Sequence, residues 1–383
     1  MKIGIDARKI RDFGIGTHIE NLIRYIPEFD TENEYYIFHY PADKDYVPCT
    51  SANIRLVPDT SPKYSLRELV VLPFKMGQLR LDLFHATHYT LPPIRPCKGI
   101  VTIHDVIHLR FPEYLPHPAA YYYAKGMMWA AAHSASKVIT VSECSKQDIV
   151  QYLRVPEQKV AVVYNGIDSP PAPLSVAEAT KRGNEFLNPL SFQKRGGQGV
   201  SSPYILYLGN FLPHKNLDTL IKAYSLLKRQ YKVDHSLVLA GKNDRMKPLL
   251  QKLMAAEKLE HDVILTGFVE PAWMPALYRH ADLFVYPSLY EGFGLQALEA
   301  MAYQIPVAIS NVSALPEIAG DAAIQFDPTS PENMAEVIYQ ALTDQALRTS
   351  LIAKGQQRLK VFSWREMARK TVDIYQCESC TTS

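Results

Sequence analysis

The sequence predicts an α/β protein made of two doubly wound lobes, each with a parallel sheet, that face each other across a cleft. Three observations indicate this fold class. The chain has 383 residues, which suits two domains of about 100–200 residues each. In both halves, short apolar runs alternate with helical patterns, as in sheets that are covered on both faces. Between the halves, the segment 169–203 is rich in Ser, Pro and Gly, which predicts a linker or a mobile insertion.

The first lobe is predicted to span residues 1–168. Short β-branched runs predict strands, and the stretches between them have the spacing of helices. The predicted strands are Lys2–Ala7, Tyr35–His39, Leu81–His85, Gly99–His104, Lys137–Val141 and Lys159–Tyr164. The predicted helices are Thr17–Ile26, Ala119–Ala132 and Cys144–Leu153.

The second lobe is predicted to span residues 204–362. Its first helix, Asn216–Gln230, places five apolar side chains on one face, namely Leu217, Leu220, Ile221, Tyr224 and Leu227. A later helix opens at Ser330 and Pro331, where proline suits the first helical position. The predicted strands are Tyr204–Leu208, Ser236–Ala240, Asp262–Thr266, Asp282–Tyr286, Pro306–Ile309 and Ala323–Phe326.

The last segment, 363–383, is predicted to hold a helix and a tail. Ser363 and Glu366 form a capping box that begins this helix, which we expect to end near Gln376 and to pack back toward the first lobe. Cys377 and Cys380 form a C-x-x-C motif without a second pair, so we interpret them as part of the tail.

Composition excludes several classes of protein. An apolar content of 47% is too high for a disordered chain. A net charge of +2 excludes a protein whose whole surface is positively charged and binds phosphate. We therefore expect no nucleic-acid partner. Five cysteines without framework spacing favour a reduced, cytoplasmic compartment. No apolar run approaches the ~20 residues that span a bilayer, and no export signal precedes the first strand, although contact with the inner membrane surface stays open.

The most informative motif lies in Tyr286–Ala302, where a strand leads through a glycine-rich turn into a helix. The first N–H groups of that helix, at Phe293–Gln296, lack intrahelical partners and lie at the positive end of the helix dipole. Gly292 and Gly294 have no Cβ, so an anion can approach the backbone closely. We therefore expect a phosphate or diphosphate to bind at this turn.

Two carboxylates bracket the turn. Glu291 precedes the helix, where its side chain can reach whatever the phosphate carries. Glu299 lies inside the helix and suits a pair of hydroxyls such as those of a ribose. In the lobe's first loop, Lys215 stands at a helix start, which is unfavourable for a cation unless an anionic ligand is bound.

These residues resemble the retaining glycosyltransferases of family 4. The resemblance rests on Glu291 and Glu299 (an E-x7-E pattern) and on Gly209 followed by Lys215 and Asn216. It implies two Rossmann-like lobes, the GT-B architecture. The stretch His104–Pro116 resembles mannosyltransferases of polysaccharide assembly and so implies a mannosyltransferase-like enzyme.

The resemblance also implies roles for individual residues. Lys215 would neutralise the donor diphosphate, which the backbone amides of Phe293, Gly294 and Leu295 would hold beside Gly292. Glu299 would bind the nucleotide ribose, and Glu291 would contact hydroxyls of the donor sugar.

The donor loop departs from the family pattern. Many relatives carry Arg where this chain has Asn210 or His214, and Pro where it has Gln296. Loss of a guanidinium removes a charge-assisted contact worth roughly 1.5–3 kcal/mol. Charge neutralisation is therefore expected to depend more on Lys215 and on the protonation of His214.

In the first lobe, the resemblance implies a flexible loop at Gly14 and Gly16 near the donor phosphates. It also implies that His104 touches the transferred sugar and that Asp105 orients His104. Asn165–Asp168 resembles the turn before the interdomain hinge. His85 and His88 are further candidates for the acceptor side.

Two further stretches match patterns of a metal site and of a lipid-binding surface. Asp43–Asp45 matches the D-x-D metal signature of the other large glycosyltransferase architecture, but it lies in a polar loop, so we interpret it as solvated charge. Arg67–Arg80 interleaves basic and apolar residues in a way that suits anionic lipid. Because Pro73 and Gly77 weaken a helix there, we interpret it as ordinary packing.

The sequence thus predicts a retaining, metal-independent glycosyltransferase with catalytic residues His104, Lys215 and Glu291. The expected substrates are a nucleoside-diphosphate sugar, with GDP-mannose first and UDP-hexoses next, and a glycan or lipid-linked acceptor. No cofactor is expected. The alternatives are a sugar-nucleotide epimerase or a glycan phosphorylase of the same architecture, and a non-catalytic sugar-nucleotide-binding protein.

Overall fold

The computed structural model describes residues 1–49, 51–115, 117–168, 203–242 and 246–380. The chain divides into two compact units. The first unit comprises Met1–Gly166 and Phe362–Ser383, and the second comprises Ile167–Val361. The stretch 169–202, which holds nearly all of the predicted linker or insertion, lies outside the described residues.

A seven-stranded parallel sheet forms the centre of the first unit, in the order β3-β2-β1-β4-β5-β6-β7. Most of its strands are buried along nearly their whole length, as the apolar runs predict. The strands are β1 Lys2–Asp6, β2 Glu34–His39, β3 Ile54–Pro58, β4 Leu83–Ala86, β5 Lys98–Thr102, β6 Lys137–Thr140 and β7 Val160–Val162. The sequence did not predict β3, an edge strand of which only Ile54 is buried and Arg55 and Pro58 are exposed.

Helices cover this sheet. They are α1 Phe13–Phe29, α2 Glu68–Leu79, α3 Ile107–Arg110, α4 Pro118–Ser134 and α5 Glu143–Leu153, with the last helix of the chain joining them. Buried side chains of α2, α4 and α5 belong to one hydrophobic cluster with the strands. These three helices therefore lie on the same side of the sheet.

The second unit has a six-stranded parallel sheet in the order β10-β9-β8-β11-β12-β13. Its strands are β8 Tyr204–Leu208, β9 Ser236–Ala240, β10 Val263–Gly267, β11 Leu283–Tyr286, β12 Val307–Ser310 and β13 Ile324–Phe326. Its helices are α6 Leu217–Arg229, α7 Lys247–Ala256, α8 Met274–Arg279, α9 Leu295–Ala302, α10 Leu315–Ala319, α11 Pro331–Thr343 and α12 Gln345–Arg358. The two parallel sheets confirm the predicted fold class.

The last helix, α13 Trp364–Cys380, packs against α1. Its fully buried Tyr375 has its hydroxyl 2.6 Å from His85 Nδ1, and His85 Nε2 lies 2.8 Å from the Thr102 hydroxyl. These contacts tie α13 to β4 and β5. His85 is completely buried, so its predicted place on the acceptor side is wrong. Cys377, expected in a tail, lies on this helix and is free.

The glycines of the first loop are not in a loop. Because α1 begins at Phe13, Gly14 and Gly16 belong to its first turn. The Gly16 N–H donates to the Asp12 carbonyl at 2.8 Å. A Cβ at Gly16 would lie 2.1 Å from the Ile10 carbonyl oxygen. The backbone at Ile10 can therefore approach the helix this closely only because residue 16 is a glycine.

Among the described helices, none combines the length and apolar character that crossing a membrane requires.

Candidate active site

The second sheet reverses its strand order between β8 and β11, which are neighbours. In open parallel sheets, the loops at the carboxyl ends diverge at such a point and leave a crevice for ligands. The loop after β8 carries Lys215, and the loop after β11 carries Glu291. The topology therefore brings the two side chains to the same crevice.

A buried ion pair joins these two loops. Lys215 Nζ lies 2.5 Å from Glu291 Oε1, and the side chains are only 11% and 12% exposed. The Ser313 hydroxyl holds the Glu291 backbone, because it accepts from the N–H at 3.0 Å and donates to the carbonyl at 2.7 Å. The charged ends of both side chains are thus held in place.

The charge of Lys215 is balanced within the protein. The sequence placed it at a helix start, but α6 begins at Leu217, and Lys215 ends a 3-10 turn before it. Burial by itself would raise the pKa of Glu291, but the Lys215 ammonium, with His214 nearby, holds that pKa below its usual value. Glu291 is therefore ionised at neutral pH and compensates the lysine.

Tyr286, the last residue of β11, connects the ion pair to α9. Its hydroxyl lies 3.5 Å from Lys215 Nζ and donates to Gln296 Oε1 at 3.0 Å. Nζ also lies 5.4 Å from the centre of the tyrosine ring, within the range of a cation–π contact. Lys215 is therefore linked through one side chain to the first turn of α9.

The turn into α9 depends on Gly294. Its φ is +105°, and a Cβ there would lie 2.7 Å from Leu315 Cδ2, so only glycine fits. The helix begins at Leu295, later than the expected start at Phe293. Phe293 and Gly294 therefore belong to the turn, and the N–H groups without an intrahelical acceptor begin at Leu295 and Gln296.

Glu299 lies on the same helix, one turn further along. Its Oε2 accepts a hydrogen bond from the Tyr278 hydroxyl at 2.7 Å, and Tyr278 stacks on Tyr303 with ring centres 5.0 Å apart. Burial raises the pKa of Glu299 above its ordinary value. The tyrosine pair fixes this carboxylate from one side.

The remaining predicted donor-binding residues lie in the loop after β8. The backbone carbonyl of Asn210 accepts from the Tyr207 hydroxyl at 2.9 Å. Asn210 Oδ1 is buried and has no hydrogen-bond partner in the described part of the chain. The His214 carbonyl accepts from the Leu289 N–H at 2.8 Å, which holds the two loops together. The loop therefore presents one unsatisfied acceptor, at Asn210.

In the first unit, His104 follows β5. Its Nε2 lies 3.1 Å from the Thr87 carbonyl, so Nε2 carries the proton and Nδ1 the lone pair. Burial lowers the pKa of His104 to about 3, which keeps the ring neutral. Asp105 accepts from the Ile107 N–H at 3.0 Å. Its predicted role in orienting His104 stays a prediction.

His18 packs edge-on against His104, with ring centres 5.0 Å apart. Its Nδ1 lies 2.8 Å from Asn165 Oδ1, while its buried Nε2 has no partner among the described residues. No sequence pattern indicated His18 as a site residue. It lies on the buried face of α1 beside Ile19 and Leu22, a pattern that by itself indicates only core packing.

A small crevice also lies where the first sheet reverses order, between β1 and β4. Its walls include Lys9 after β1 and His88 after β4. Lys9 Nζ lies 2.6 Å from the Tyr64 hydroxyl, and the buried His88 Nδ1 has no partner in the described ranges. These residues come from three separate segments, so no sequence motif indicates the crevice. Of the three, only His88 was predicted from the sequence, as a candidate for the acceptor side.

Comparison with known proteins identifies the family. The model of "Glycosyltransferase Family 4" matches residues 14–169, and that of "Glycosyl transferases group 1" matches residues 192–358. The O-antigen chain mannosyltransferase B of Escherichia coli is 32% identical over 293 residues, which cover 76% of this chain and 74% of that protein. The chain belongs to glycosyltransferase family 4.

Other relatives agree with this assignment. The O-antigen chain mannosyltransferase RfbU of Salmonella typhimurium is 26% identical over 76% of this chain and 72% of its own length. The solved structure of Anabaena HepE in complex with UDP-glucose superposes with a TM-score of 0.73 at 17% identity and covers 98% of this chain and 100% of HepE. At that identity the likeness shows the fold alone.

The family 4 motifs fall into two groups in the structure. Lys215 and Glu291 are in contact, and Tyr286 links them to the turn and first residues of α9. The sequence missed Tyr286, Tyr278 and Ser313, although the position of Tyr286 at the end of a strand was a usable signal. Gly14, Gly16 and His104 belong to the first unit.

The D-x-D match has a structural role. Asp43 lies in the turn Pro41–Tyr46, is buried, and has an oxygen 3.7 Å from Arg11 Nη1, so the interpretation of the motif as solvated charge is wrong for Asp43. Lys44 and Asp45 are exposed, as that interpretation expects. Within the described ranges, no three His, Cys, Asp or Glu side chains are grouped so as to hold a metal ion.

Replacing Lys215 with Met is expected to destabilise the second unit by about 3 kcal/mol, because it leaves a buried carboxylate without its counter-ion. Urea unfolding of the Lys215→Met, Glu291→Gln and double variants measures this. We expect the double variant to be more stable than Lys215→Met alone.

The pH dependence provides a second readout. Without Lys215, burial raises the pKa of Glu291, so Lys215→Met should regain stability as the pH falls toward that pKa. The wild-type pair should instead lose its contribution as the pH falls through the lowered pKa of Glu291. Equal stability of Lys215→Met and the double variant at all pH values would contradict the ion pair.

Proposed function

We propose that this glycosyltransferase is retaining and metal-independent, and that it moves a hexose from a nucleoside-diphosphate sugar to a glycan or lipid-linked acceptor. The observation that carries the proposal is the Lys215–Glu291 pair beside the Gly294 turn. A buried cation next to the N-terminus of α9, at the point where the sheet reverses, is an arrangement that suits a diphosphate. Mannose is the first candidate for the hexose, because two relatives are named as mannosyltransferases of O-antigen chains.

Donor binding exchanges one partner of Lys215 for another. The diphosphate brings negative charge to the ammonium and to the amides at Leu295 and Gln296. Lys215 then turns from Glu291 to the phosphate, and the released carboxylate accepts hydrogen bonds from hydroxyls of the sugar. The Tyr286 hydroxyl, already bound to Gln296, keeps the ammonium close to the helix during this exchange.

Most of the catalysis is stabilisation of the leaving group. As the bond between the sugar and the phosphate breaks, charge develops on the departing oxygen. Lys215 and the amides of α9 are positioned before the reaction to receive that charge. The acceptor hydroxyl attacks from the face that the diphosphate leaves, and a phosphate oxygen takes its proton. The products are a glycoside with retained configuration and a nucleoside diphosphate.

His104 acts as a neutral hydrogen-bonding group. Since its Nε2 proton is donated to Thr87, the Nδ1 lone pair is free to accept from a hydroxyl of the transferred sugar. With the pKa near 3, the ring carries no charge at the pH of the cytoplasm, where we place the reaction.

Glu299 is assigned to the nucleotide. One of its oxygens is bound by Tyr278, so the carboxylate is oriented before the ligand arrives and can accept from the two hydroxyls of a ribose. Asn210 Oδ1 supplies a further unsatisfied acceptor in the loop after β8. The crevice lined by Lys9 and His88 in the first unit is assigned to the acceptor.

Removing Lys215 should slow transfer far more than it weakens donor binding. Lys215→Ala is expected to lower kcat by roughly 10²-fold or more, because its charge acts mainly on the leaving group. The measurement is turnover of GDP-mannose and UDP-glucose by purified protein, with release of the nucleoside diphosphate as readout. Lys222→Ala removes an exposed lysine of α6 and serves as the control. Near-normal turnover in Lys215→Ala would overturn the assignment.

Replacing Glu299 should weaken nucleotide binding. Glu299→Ala removes charge-assisted hydrogen bonds worth about 1.5–3 kcal/mol, or roughly 10- to 100-fold in Kd. Calorimetry with GDP and UDP measures this loss, and Glu336→Ala, an exposed carboxylate of α11, is the control. Because the ionised form accepts the hydroxyls, wild-type affinity should fall as the pH drops through the raised pKa of Glu299. A pH profile that is unchanged in Glu299→Gln would sink this role.

Chelation should leave the reaction intact. Lys215 and the helix amides supply the positive charge that a divalent cation would otherwise provide, so turnover in EDTA should equal turnover in buffer. The assay is repeated after dialysis against EDTA, with Mg²⁺ or Mn²⁺ added back. Activity that is lost in EDTA and restored by either ion would refute metal independence.

A further inference from the structure

We propose that His18 is a positioning residue for the transfer reaction: its ring fixes the orientation of the His104 ring, so that Nδ1 of His104 stays directed at the transferred sugar. The inference rests on the proposed function for the role of His104, and it deepens that function by adding the side chain that holds this histidine. It goes beyond core packing, the only role that the position of His18 on α1 indicates by itself.

The ring of His104 is held by the backbone at one atom. Its Nε2 proton is donated to the Thr87 carbonyl at 3.1 Å. The outer torsion of a histidine side chain has no narrow preferred value, so one hydrogen bond does not fix the ring. A second contact is needed to set the direction of the Nδ1 lone pair.

The ring of His18 supplies this contact. The ring centres of His18 and His104 lie 5.0 Å apart, and the ring planes are perpendicular, at 89°. The edge of one ring against the face of another is an arrangement that aromatic pairs prefer. Because His104 can tilt only by leaving this arrangement, the perpendicular ring restrains it.

His18 is itself held in place. Its side chain is buried, and Nδ1 donates to Asn165 Oδ1 at 2.8 Å. Asn165 is also buried and follows β7. The next residue, Gly166, packs so closely on the start of α13 that a Cβ would lie 2.0 Å from the Trp364 nitrogen. The amide that binds His18 therefore belongs to a tightly packed segment.

The polar contacts of His18 lead out of its own helix. Asn21, the other buried polar side chain of α1, donates to the Thr17 carbonyl of the same helix at 2.9 Å. His18 instead bonds to Asn165, 147 positions away, and contacts His104. Its Nε2 is buried without a partner within the ranges that the structure describes, a cost that an apolar side chain would avoid. Packing alone therefore does not account for a histidine at this position.

The pair of rings is uncharged. Burial lowers the pKa of His18 below its ordinary value and lowers the pKa of His104 to about 3. Among the described residues, the titratable groups that act on the pair are His85 on β4 and Lys9 after β1, and neither is a carboxylate. The partner of His18 is an amide. Neither ring is therefore drawn into its charged form, and His104 keeps the lone pair that the proposed function uses.

Steady-state kinetics of the full chain test the inference. His18→Leu keeps an apolar side chain of similar size but removes the ring. With GDP-mannose or UDP-glucose as donor, kcat should fall about 10-fold, which corresponds to the loss of one ring contact of this kind. The Kd of GDP, measured by calorimetry, should stay at the wild-type value. His18→Phe restores a ring and should recover part of the lost kcat.

The matched control for these variants is Asn21→Leu. It removes the other buried polar side chain of α1 and should retain the wild-type kcat. The inference is overturned if His18→Leu turns over donor as wild type does, or if His18→Phe recovers none of the loss.

A pH profile separates positioning from a loss of stability. Asn165→Asp sets a carboxylate beside His18 Nδ1, which raises the pKa of His18. Below that raised pKa a charged ring faces His104, so kcat should fall as the pH decreases, in a step that wild type lacks. The step should be absent from His18→Leu/Asn165→Asp. A profile of Asn165→Asp that matches wild type would contradict the inference, and this variant keeps both histidines.

Histidine NMR provides a readout that does not depend on the proposed function. Proton–nitrogen correlations of the imidazole ring report its tautomer and its number of orientations, and the His104 signals are assigned by their loss in His104→Gln. Wild type should give one set of signals with the proton on Nε2, and His18→Leu should give shifted or doubled signals. Identical His104 signals in both proteins would refute the positioning role, whereas a wild type that turns over neither sugar nucleotide contradicts only the proposed function.

Discussion

The contact between Lys215 and Glu291 is the constraint on which the donor-side architecture depends. Two charges with little access to water are tolerated only when they are paired and held, so the loops after β8 and β11 must keep a fixed spacing. Ser313 holds the Glu291 backbone, the hydrogen bond from Leu289 to His214 joins the loops, and Tyr286 extends the arrangement to α9. The crevice at the reversal of the sheet is therefore preorganised.

The same ion pair keeps the site electrically balanced. A lone lysine beside a helix N-terminus would be unfavourable, and a lone buried carboxylate would be protonated. Lys215 and Glu291 neutralise each other's charge. In the proposed function, an anion that carries hydroxyl groups gives both side chains new partners. Under the proposed function, a sugar nucleotide offers phosphate and hydroxyls together, which an ion that carries only charge does not.

The two units place different residues at the point where their sheets reverse strand order. In each, the order of a parallel sheet reverses at one point, and polar residues from separate loops meet there. The second unit places an ion pair and a helix terminus at that point. The first unit places Lys9, Tyr64 and His88 there, and it also holds the paired rings of His18 on α1 and His104 after β5.

Local patterns in the sequence determined the strands and helices, the glycine-rich turn and the residues that bear charge, because alternation, helical spacing and the steric freedom of glycine act over a few residues. The pairing of Lys215 with Glu291, 76 positions apart, required the adjacency of β8 and β11, which no local pattern encodes. The edge strand β3 depends on its pairing with β2, and the turn before α9 depends on the close approach of Leu315 to Gly294, two contacts between distant segments. The start of α1 depends on the nearer contact of the Ile10 carbonyl with Gly16. Burial follows from how distant segments of the chain pack together. The neutral state of His104 and the core position of His85 both depend on burial, so only the folded chain decides them.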